Sequence, residues 1–133
     1  MIITIAVDNG DNTAYIDGWE DRDPKASWSP TPGYVYLNGM YDGTTQYAVL
    51  QNGVWTVADR PAFHVLAGEY AGTVGQEIVF DLKEANAEVF LDEVSQGVNA
   101  EETVSFTPDT IGVFVLEFKK WPFQELKVIV NAT

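Results

Sequence analysis

The chain contains 133 residues, of which 20 are Asp or Glu and seven are Lys or Arg, so its formal net charge is −13. This length fits one domain or two very small ones, and the negative charge argues against binding nucleic acid through its phosphates. The absence of cysteine excludes disulfides, thiolate-bound zinc and iron–sulfur clusters. No apolar run approaches the ~18 residues of a membrane-spanning helix, and the first residues lack the regions of a signal peptide. We therefore expect a globular protein without a membrane partner.

Turn signals divide the first sixty residues into short runs rich in Val, Ile, Thr and Tyr. Gly and Asn supply the positive φ that tight hairpins require, so this spacing predicts strands. One hairpin is predicted from 2–7, through the turn at Asp8, Asn9 and Gly10, to 13–16. A meander of three strands follows at 34–37, 45–50 and 54–58, with a turn between each pair. The intervening stretch 18–32, rich in proline and charge, is predicted to be an ordered loop.

The second half of the chain alternates apolar and polar residues with the period of a β-strand. The runs 76–82, 87–92, 103–106, 113–118 and 125–131 are predicted strands. The segment 81–93 has some helical propensity, but Asn86 and the β-rich flanks favour two strands joined by a short turn. The predicted core consists of Phe80, Val89, Leu91, Phe106, Phe114, Leu116 and Val128.

Pro61 marks a boundary in the chain, because proline forces an extended backbone and is not found inside a central strand. The sequence therefore predicts two modules. Residues 1–60 form an N-terminal β-hairpin and meander module, and residues 61–133 form a second β module.

The segment from Phe106 to Leu116 has the composition of a corner between two sheets. Gly112 tolerates the tight reversal of the chain, and Phe114 then enters the core. This segment resembles the E–F corner of bacterial and phage immunoglobulin-like domains, and the resemblance covers about residues 63–133. The family often has tyrosine where Phe114 stands, and this chain lacks the disulfide of antibody domains. The resemblance implies an all-β protein, with a small N-terminal β-meander module followed by an Ig-like β-sandwich.

The order of these parts resembles small tail-associated proteins of tailed bacteriophages. Those proteins combine a short β segment, a segment such as Tyr47–Trp55, a proline-containing joint and an Ig-like domain. The resemblance implies a non-enzymatic structural subunit of a phage particle, tail or baseplate associated or decorating the capsid. In such a subunit, residues 1–60 are the module that docks on the assembly. The chain is then made in the host cytoplasm and located in the virion. Its expected partners are other virion proteins and further copies of itself.

Large aromatic side chains are the candidate contact residues, because such rings are enriched at interfaces. Trp121 and Phe123 occupy the predicted turn between the last two strands, where large rings are poorly placed for a core. Trp28 lies in the proline-rich loop and Trp55 in the meander. We predict that these four residues contact other protein chains. The alternative is that the four tryptophans, Trp19, Trp28, Trp55 and Trp121, stack on sugar rings, which would make the chain a carbohydrate- or cell-surface-binding module.

Acidic residues around the first turn are weak candidates for Ca²⁺ ligands, namely Asp8, Asp11, Asp17 and Asp21. The EF-hand spacing is not met, so a hairpin turn with solvated acids is the simpler interpretation. His64 is the only histidine, and no serine lies in a nucleophile elbow. We predict no catalysis, no metal and no cofactor.

The net charge allows one further functional alternative, an acidic DNA mimic that inhibits a host nuclease. Such a mimic needs acids arranged on one face at the spacing of phosphates. The acids here are spread over both halves of the chain, which favours a role in solubility.

Overall fold

The computed structural model describes residues 1–23 and 30–133. Within these ranges the protein is all-β, as predicted, with twelve strands and no helix. Its contacts divide the chain into two compact units, Met1–Arg60 (unit 1) and Pro61–Thr133 (unit 2). The functional roles assigned to the two modules stay predictions.

The strands of unit 1 are β1 (Ile2–Asp8), β2 (Thr13–Asp21), β3 (Tyr34–Asn38), β4 (Gln46–Gln51) and β5 (Val54–Asp59). Among the described residues they form one antiparallel sheet with the order β3-β1-β2-β4-β5. The predicted β1–β2 and β4–β5 hairpins are confirmed, but the predicted hairpin of β3 with β4 is wrong. β3 pairs with β1 and β4 pairs with β2, because β1 is buried or half-buried along most of its length and takes a neighbour on each side.

The core of unit 1 is small and is built largely from alanine. Ala6, Ala14 and Ala48 come from three different strands and have no exposed surface. Because alanine side chains are short, these strands pack closely against Val35 and Leu37 of β3. The half-buried side chains of Ile16, Tyr41, Trp55 and Val57 pack around this cluster.

The second strand is longer than the sequence predicts. β2 continues to Asp21, so residues 18–21, which the sequence assigns to a loop, pair with β1. Gly18 pairs with Ile5 and Ile16 pairs with Ala6, which leaves Asp17 as one extra residue in a β-bulge. The sequence prediction failed here because a bulge at Asp-Gly has the same residues as a turn.

The strands of unit 2 are β6 (Gly68–Gly72), β7 (Ile78–Asp81), β8 (Ala87–Leu91), β9 (Val94–Asn99), β10 (Thr103–Phe106), β11 (Gly112–Lys119) and β12 (Leu126–Ala132). They form a five-stranded sheet with the order β6-β12-β11-β8-β9 and a two-stranded sheet of β10 and β7. β6 runs parallel to β12, and the other paired strands are antiparallel.

The predicted strands of the second half are confirmed, including the two that flank Asn86. Asn86 has a positive φ of 66°, which stops a helix and makes the turn between β7 and β8. Two strands, β6 and β9, were not predicted. Both are exposed along most of their length, so neither shows the apolar alternation that marks a half-buried strand.

The core of unit 2 agrees in part with the prediction. Phe80, Val89, Leu116 and Val128 are buried in one cluster, whereas Leu91, Phe106 and Phe114 pack against that cluster and remain half-exposed. The centre of the core is Phe118, which has no exposed surface and was not in the predicted set. Phe118 pairs with Val89 on β8 and with Leu126 on β12, so it has a neighbouring strand on each side.

Candidate binding groove of unit 1

A surface groove of about 510 Å³ lies between β2 and the β3–β4 connection. Its lining offers aromatic, thioether, carboxylate and amide groups but no cationic side chain. A concave surface that combines apolar side chains with a few polar groups is the usual composition of a ligand site. The lining residues are Ile16, Asp17, Gly18, Trp19, Met40, Tyr41, Asp42, Gly43 and Gln46.

The bulge in β2 positions the principal aromatic side chain of the groove. Ile16 and Trp19 are three residues apart, a spacing that places side chains on opposite faces of a regular strand. Because Asp17 is an extra residue, Ile16 pairs with Ala6 while Trp19 pairs with Thr4, so both face the core side of the sheet. β4 pairs only with the start of β2. Trp19 therefore lies beyond the part of β2 that pairs with β4, and it is 54% exposed.

The opposite wall of the groove is fixed by one buried hydroxyl. Thr4 has no exposed surface, and its Oγ1 donates a 2.6 Å hydrogen bond to the carbonyl oxygen of Gly39. The same Oγ1 accepts a 3.1 Å hydrogen bond from the backbone N–H of Tyr41. Met40 lies between these two anchored residues and is 57% exposed. Its thioether is therefore held at the groove by the backbone on either side.

The wall also makes a close backbone approach to β2 at Gly43. A Cβ atom at this position would lie 2.6 Å from the carbonyl oxygen of Ile16, so only glycine fits without a shift of the backbone. Nη1 of Arg60 donates a 2.9 Å hydrogen bond to the carbonyl oxygen of Gly43. The close approach to Ile16 and the hydrogen bond from Arg60 fix the position of Gly43 beside β2.

Asp42 supplies a fixed negative charge to the groove. Its Oδ1 accepts hydrogen bonds from the backbone N–H of Thr44 at 2.9 Å and from the hydroxyl of Thr44 at 2.8 Å. Both bonds hold the pKa of the Asp42 carboxyl below its usual value, and the bond from the backbone N–H has the larger effect. The exposed carboxylate of Asp17 lies on the β2 side. The groove can therefore accept hydrogen bonds from a ligand and offer it an aromatic face.

The structure places the four predicted contact residues in different environments. Trp28 lies outside the described residues. Trp55 is half-buried against the core of unit 1. Trp121 is half-buried in the β11–β12 connection, and the ring of Phe123 stacks on Phe63 with centroids 4.9 Å apart. Phe123 thus packs against the core of its own unit, contrary to the expectation for a ring in this turn. The contact role of these residues stays a prediction.

The four acidic residues named as weak Ca²⁺ candidates have separate surroundings. Asp8 accepts a 2.8 Å hydrogen bond from the N–H of Gly10, and Asp21 pairs with the N-terminal ammonium group at 2.8 Å. Asp11 accepts a hydrogen bond from the hydroxyl of Thr13, which lowers the pKa of this carboxyl. Asp17 lines the groove. Residues 1–23 and 30–133 contain no group of three His, Cys, Asp or Glu arranged to hold a metal ion.

The sequence names Trp19 only as one of four tryptophans that could stack on sugars, and not among the predicted contact residues, although it is the most exposed tryptophan among the described residues. Its place in a strand was missed because residues 18–32 were predicted to be a loop. The signal that was available is the run Thr13–Asp21, which continues as a strand once a single bulge at Asp17 is allowed.

Comparison with protein-family models, with curated proteins and with solved structures finds no match to this chain. In the described part of the chain, no helix is long and apolar enough to cross a bilayer.

Proposed function

We propose that the protein is a non-enzymatic structural subunit of a bacteriophage particle, tail or baseplate associated or decorating the capsid. It acts through contacts with other virion proteins, and unit 1 docks on the assembly. The observation that carries this proposal is the strand order of unit 2, together with the corner between β10 and β11.

The strand order of unit 2 supports an Ig-like sandwich. In such a domain, strands C, F and G share one sheet and strands B and E share the other. In chain order β7 and β10 take the positions of B and E, while β8, β11 and β12 take those of C, F and G. β9 extends the larger sheet next to β8, as an added C′ strand does in variable-type domains.

The corner between β10 and β11 supports the same assignment. Pro108 is fully buried there, and its carbonyl oxygen accepts a 2.9 Å hydrogen bond from the N–H of Gly75. Gly112 begins β11 with a φ of 150°, a conformation that side chains disfavour. The ring of Phe114 then meets Phe106 edge-on with centroids 5.2 Å apart. The chain thus reverses between the sheets through the segment that resembles the E–F corner.

Purified particles of the phage that carries this gene test the proposal. Quantitative mass spectrometry should find the chain at a fixed ratio to the known structural proteins after density-gradient purification. A chain that is made during infection but is missing from intact particles would overturn the proposal. Particles prepared with the gene deleted are the control, and they should lack one discrete density in electron micrographs.

A second candidate function is carbohydrate binding, and the groove of unit 1 is the observation that favours it. Trp19 offers an exposed aromatic face, and the carboxylates of Asp17 and Asp42 can accept hydrogen bonds from sugar hydroxyls. A glycan array followed by calorimetry measures this directly. Trp19→Ala should abolish binding, whereas Tyr34→Ala, which removes a 44% exposed ring outside the groove, should leave it unchanged. An array without any bound glycan would eliminate this function.

A further inference from the structure

The two sheets of unit 2 are unequal in width, and a cleft lies where the narrower one ends. Among the described residues, the narrower sheet consists of two strands, β7 and β10, and the wider sheet consists of five. The cleft lies between β9 and β10 and has a volume of about 300 Å³. None of its lining residues is charged. They come from β8 to β11, namely Val89, Leu91, Gln96, Gly97, Val98, Asn99, Val104, Ser105, Phe106 and Leu116.

The floor of the cleft is the core of unit 2 itself. Val89, Val104 and Leu116 are buried members of the core cluster and also line the cleft. Leu91 and Phe106 pack against the same cluster but stay half-exposed. The cleft explains why these two residues, predicted to be buried, are not. An apolar ligand that covered them would remove their remaining surface from water, which is favourable.

Both walls of the cleft are edges of sheets. Among the described residues β9 pairs only with β8, and β10 pairs only with β7. An edge strand presents a row of backbone N–H and C=O groups that can pair with another chain. Gly97 lies in the β9 wall, and no heavy atom lies within 4 Å of the position its Cβ would take. The space beside the Gly97 backbone is therefore open, at a point where β9 has a register irregularity against β8 and the N–H of Gly97 donates a 3.2 Å hydrogen bond to the hydroxyl of Ser95.

We propose that this cleft binds an extended segment of a partner protein, which lies between β9 and β10 as an added strand. The inference rests on the proposed function, a role in protein contacts, and it names the surface and the ligand. Backbone hydrogen bonds to the strand edges would provide affinity, and alternate apolar side chains would enter the floor. The preferred segment alternates apolar and polar residues with the period of a strand.

Charge determines which kind of segment fits. Exposed carboxylates flank both ends of β9, Glu93 in the β8–β9 turn and Glu101 and Glu102 in the β9–β10 connection. A partner segment with Lys or Arg at its ends is complementary to this rim. A second copy of the chain would instead bring the same carboxylates together, which charge repulsion disfavours. The proposed ligand is therefore a basic-ended β segment of a different protein.

The test uses the full chain and a synthetic probe of about seven residues, in which valine alternates with threonine and each end carries lysine. In heteronuclear NMR the probe should shift the backbone amide signals of residues 96–99 and 104–106. A matched probe with glutamate at both ends should bind at least about tenfold more weakly. No shift of these amides at saturating probe would overturn the proposal.

A pair of variants on one strand separates the cleft from the rest of β9. Val98 and Val94 are exposed to nearly the same extent, 64% and 63%, but only Val98 lines the cleft. Val98→Trp should weaken binding of the lysine-ended probe by at least about tenfold, the scale of a central contact, while Val94→Trp should change it less than about twofold. Equal effects of the two variants would overturn the assignment to the cleft.

Sedimentation of the full chain at several concentrations tests the other occupant. Self-association that Val98→Trp abolishes would show that a second copy fills the cleft, and it would overturn the proposed partner. The two proposals fail separately. A chain present in virions that binds no probe retains the proposed function, whereas a chain that binds the probe but is missing from particles retains only the cleft.

Discussion

The backbone N–H of Tyr41 donates a 3.1 Å hydrogen bond to the hydroxyl of Thr4, a side chain with no exposed surface. That hydroxyl in turn donates to the carbonyl oxygen of Gly39. One buried side chain of β1 thus satisfies two backbone groups of the β3–β4 connection. Removing a polar group from such a position is strongly destabilising, because the partly buried groups that it pairs with are left without a partner.

Thr4→Val should therefore destabilise unit 1. The change keeps the shape of the side chain but leaves the two backbone groups without their partner, and we expect a loss of about 1–3 kcal/mol in the free energy of unfolding. Urea unfolding followed by tryptophan fluorescence measures it. Thr56→Val, at an exposed hydroxyl 3.4 Å from the carbonyl oxygen of Val49, is the control and should change stability by less than about 0.5 kcal/mol. Similar values for both variants would contradict the anchoring role of Thr4.

Gly43→Ala should separate the walls of the groove. The added Cβ would lie 2.6 Å from the carbonyl oxygen of Ile16, and a backbone atom cannot yield as a flexible side chain does. We expect a destabilisation of about 1–3 kcal/mol, the usual cost of overpacking. Gly18→Ala is the matched control in the same groove, since nothing lies within 4 Å of its Cβ position. Equal melting temperatures for the two variants would show that the approach at Gly43 is looser than described.

Phe118→Ala and Phe114→Ala test the centre of the core of unit 2. Phe118 is completely buried, so its truncation should cost about 3–5 kcal/mol. Phe114 is half-exposed and meets Phe106 edge-on, so the same change should cost less, about 1–3 kcal/mol. Chemical unfolding followed by circular dichroism gives both values. A larger loss for Phe114 than for Phe118 would place the core elsewhere.

The stability of unit 1 should depend on pH through Asp42. The hydrogen bonds from Thr44 lower the pKa of this carboxyl in the folded state, so its contribution is present above the unfolded aspartate pKa, about 3.9. That contribution is lost as the pH falls through the lowered folded pKa. Asp42→Asn should therefore melt below the unchanged protein at neutral pH, with the difference shrinking in strong acid. Thr44→Val removes one donor and should weaken this dependence without abolishing it. A difference independent of pH would refute the linkage.

Trp121→Ser tests the predicted contact role of the β11–β12 connection. The ring is half-buried, so we expect the variant to stay folded but to enter particles less efficiently, because the interface loses apolar area. Incorporation is measured by mass spectrometry of particles from a complemented deletion. Val113→Ser, at a 63% exposed position of unit 2, is the control. Unfolding of the Trp121 variant would place that ring in the core, and normal incorporation would move the contact elsewhere.

The period of apolar residues was sufficient to predict most strands, because half-buried strands such as β8 and β11 alternate along their length. Pairing was harder to predict. The turn around Asn38 suggests a hairpin of β3 with β4, yet β3 pairs with β1. Strands that are neighbours in the chain need not be neighbours in a sheet, because β1 can pair with a strand on each of its two sides.

The groove could not be predicted, and the reason lies in one residue. Asp17 interrupts the alternation of side chains along β2, so the sequence pattern assigns Trp19 to a loop. In the structure the bulge places Trp19 on the same face of the sheet as Ile16. The opposite wall of the groove is held in place by the hydrogen bond between Thr4 and Gly39, which are 35 positions apart in the chain. No local pattern in the sequence encodes such a contact. Trp121 and Phe123, by contrast, were found easily because they stand in a turn, but position in a turn did not reveal that Phe123 packs on Phe63.

The position of β12 between β6 and β11 has a consequence for the order in which the units form during synthesis. All five strands of unit 1 are available to the nascent chain once residue 60 has left the ribosome, so that unit can close early. In the sheet of unit 2, residues 126–132 form the strand between β6 and β11, and the buried Val128 and Val130 of this strand belong to the core. Until those residues emerge, β6 lacks its neighbouring strand and Phe118 lacks its partner Leu126. The growing chain therefore carries a complete unit 1 and an incomplete unit 2 whose apolar core residues are still uncovered. Those residues are the surface to which a chaperone would bind.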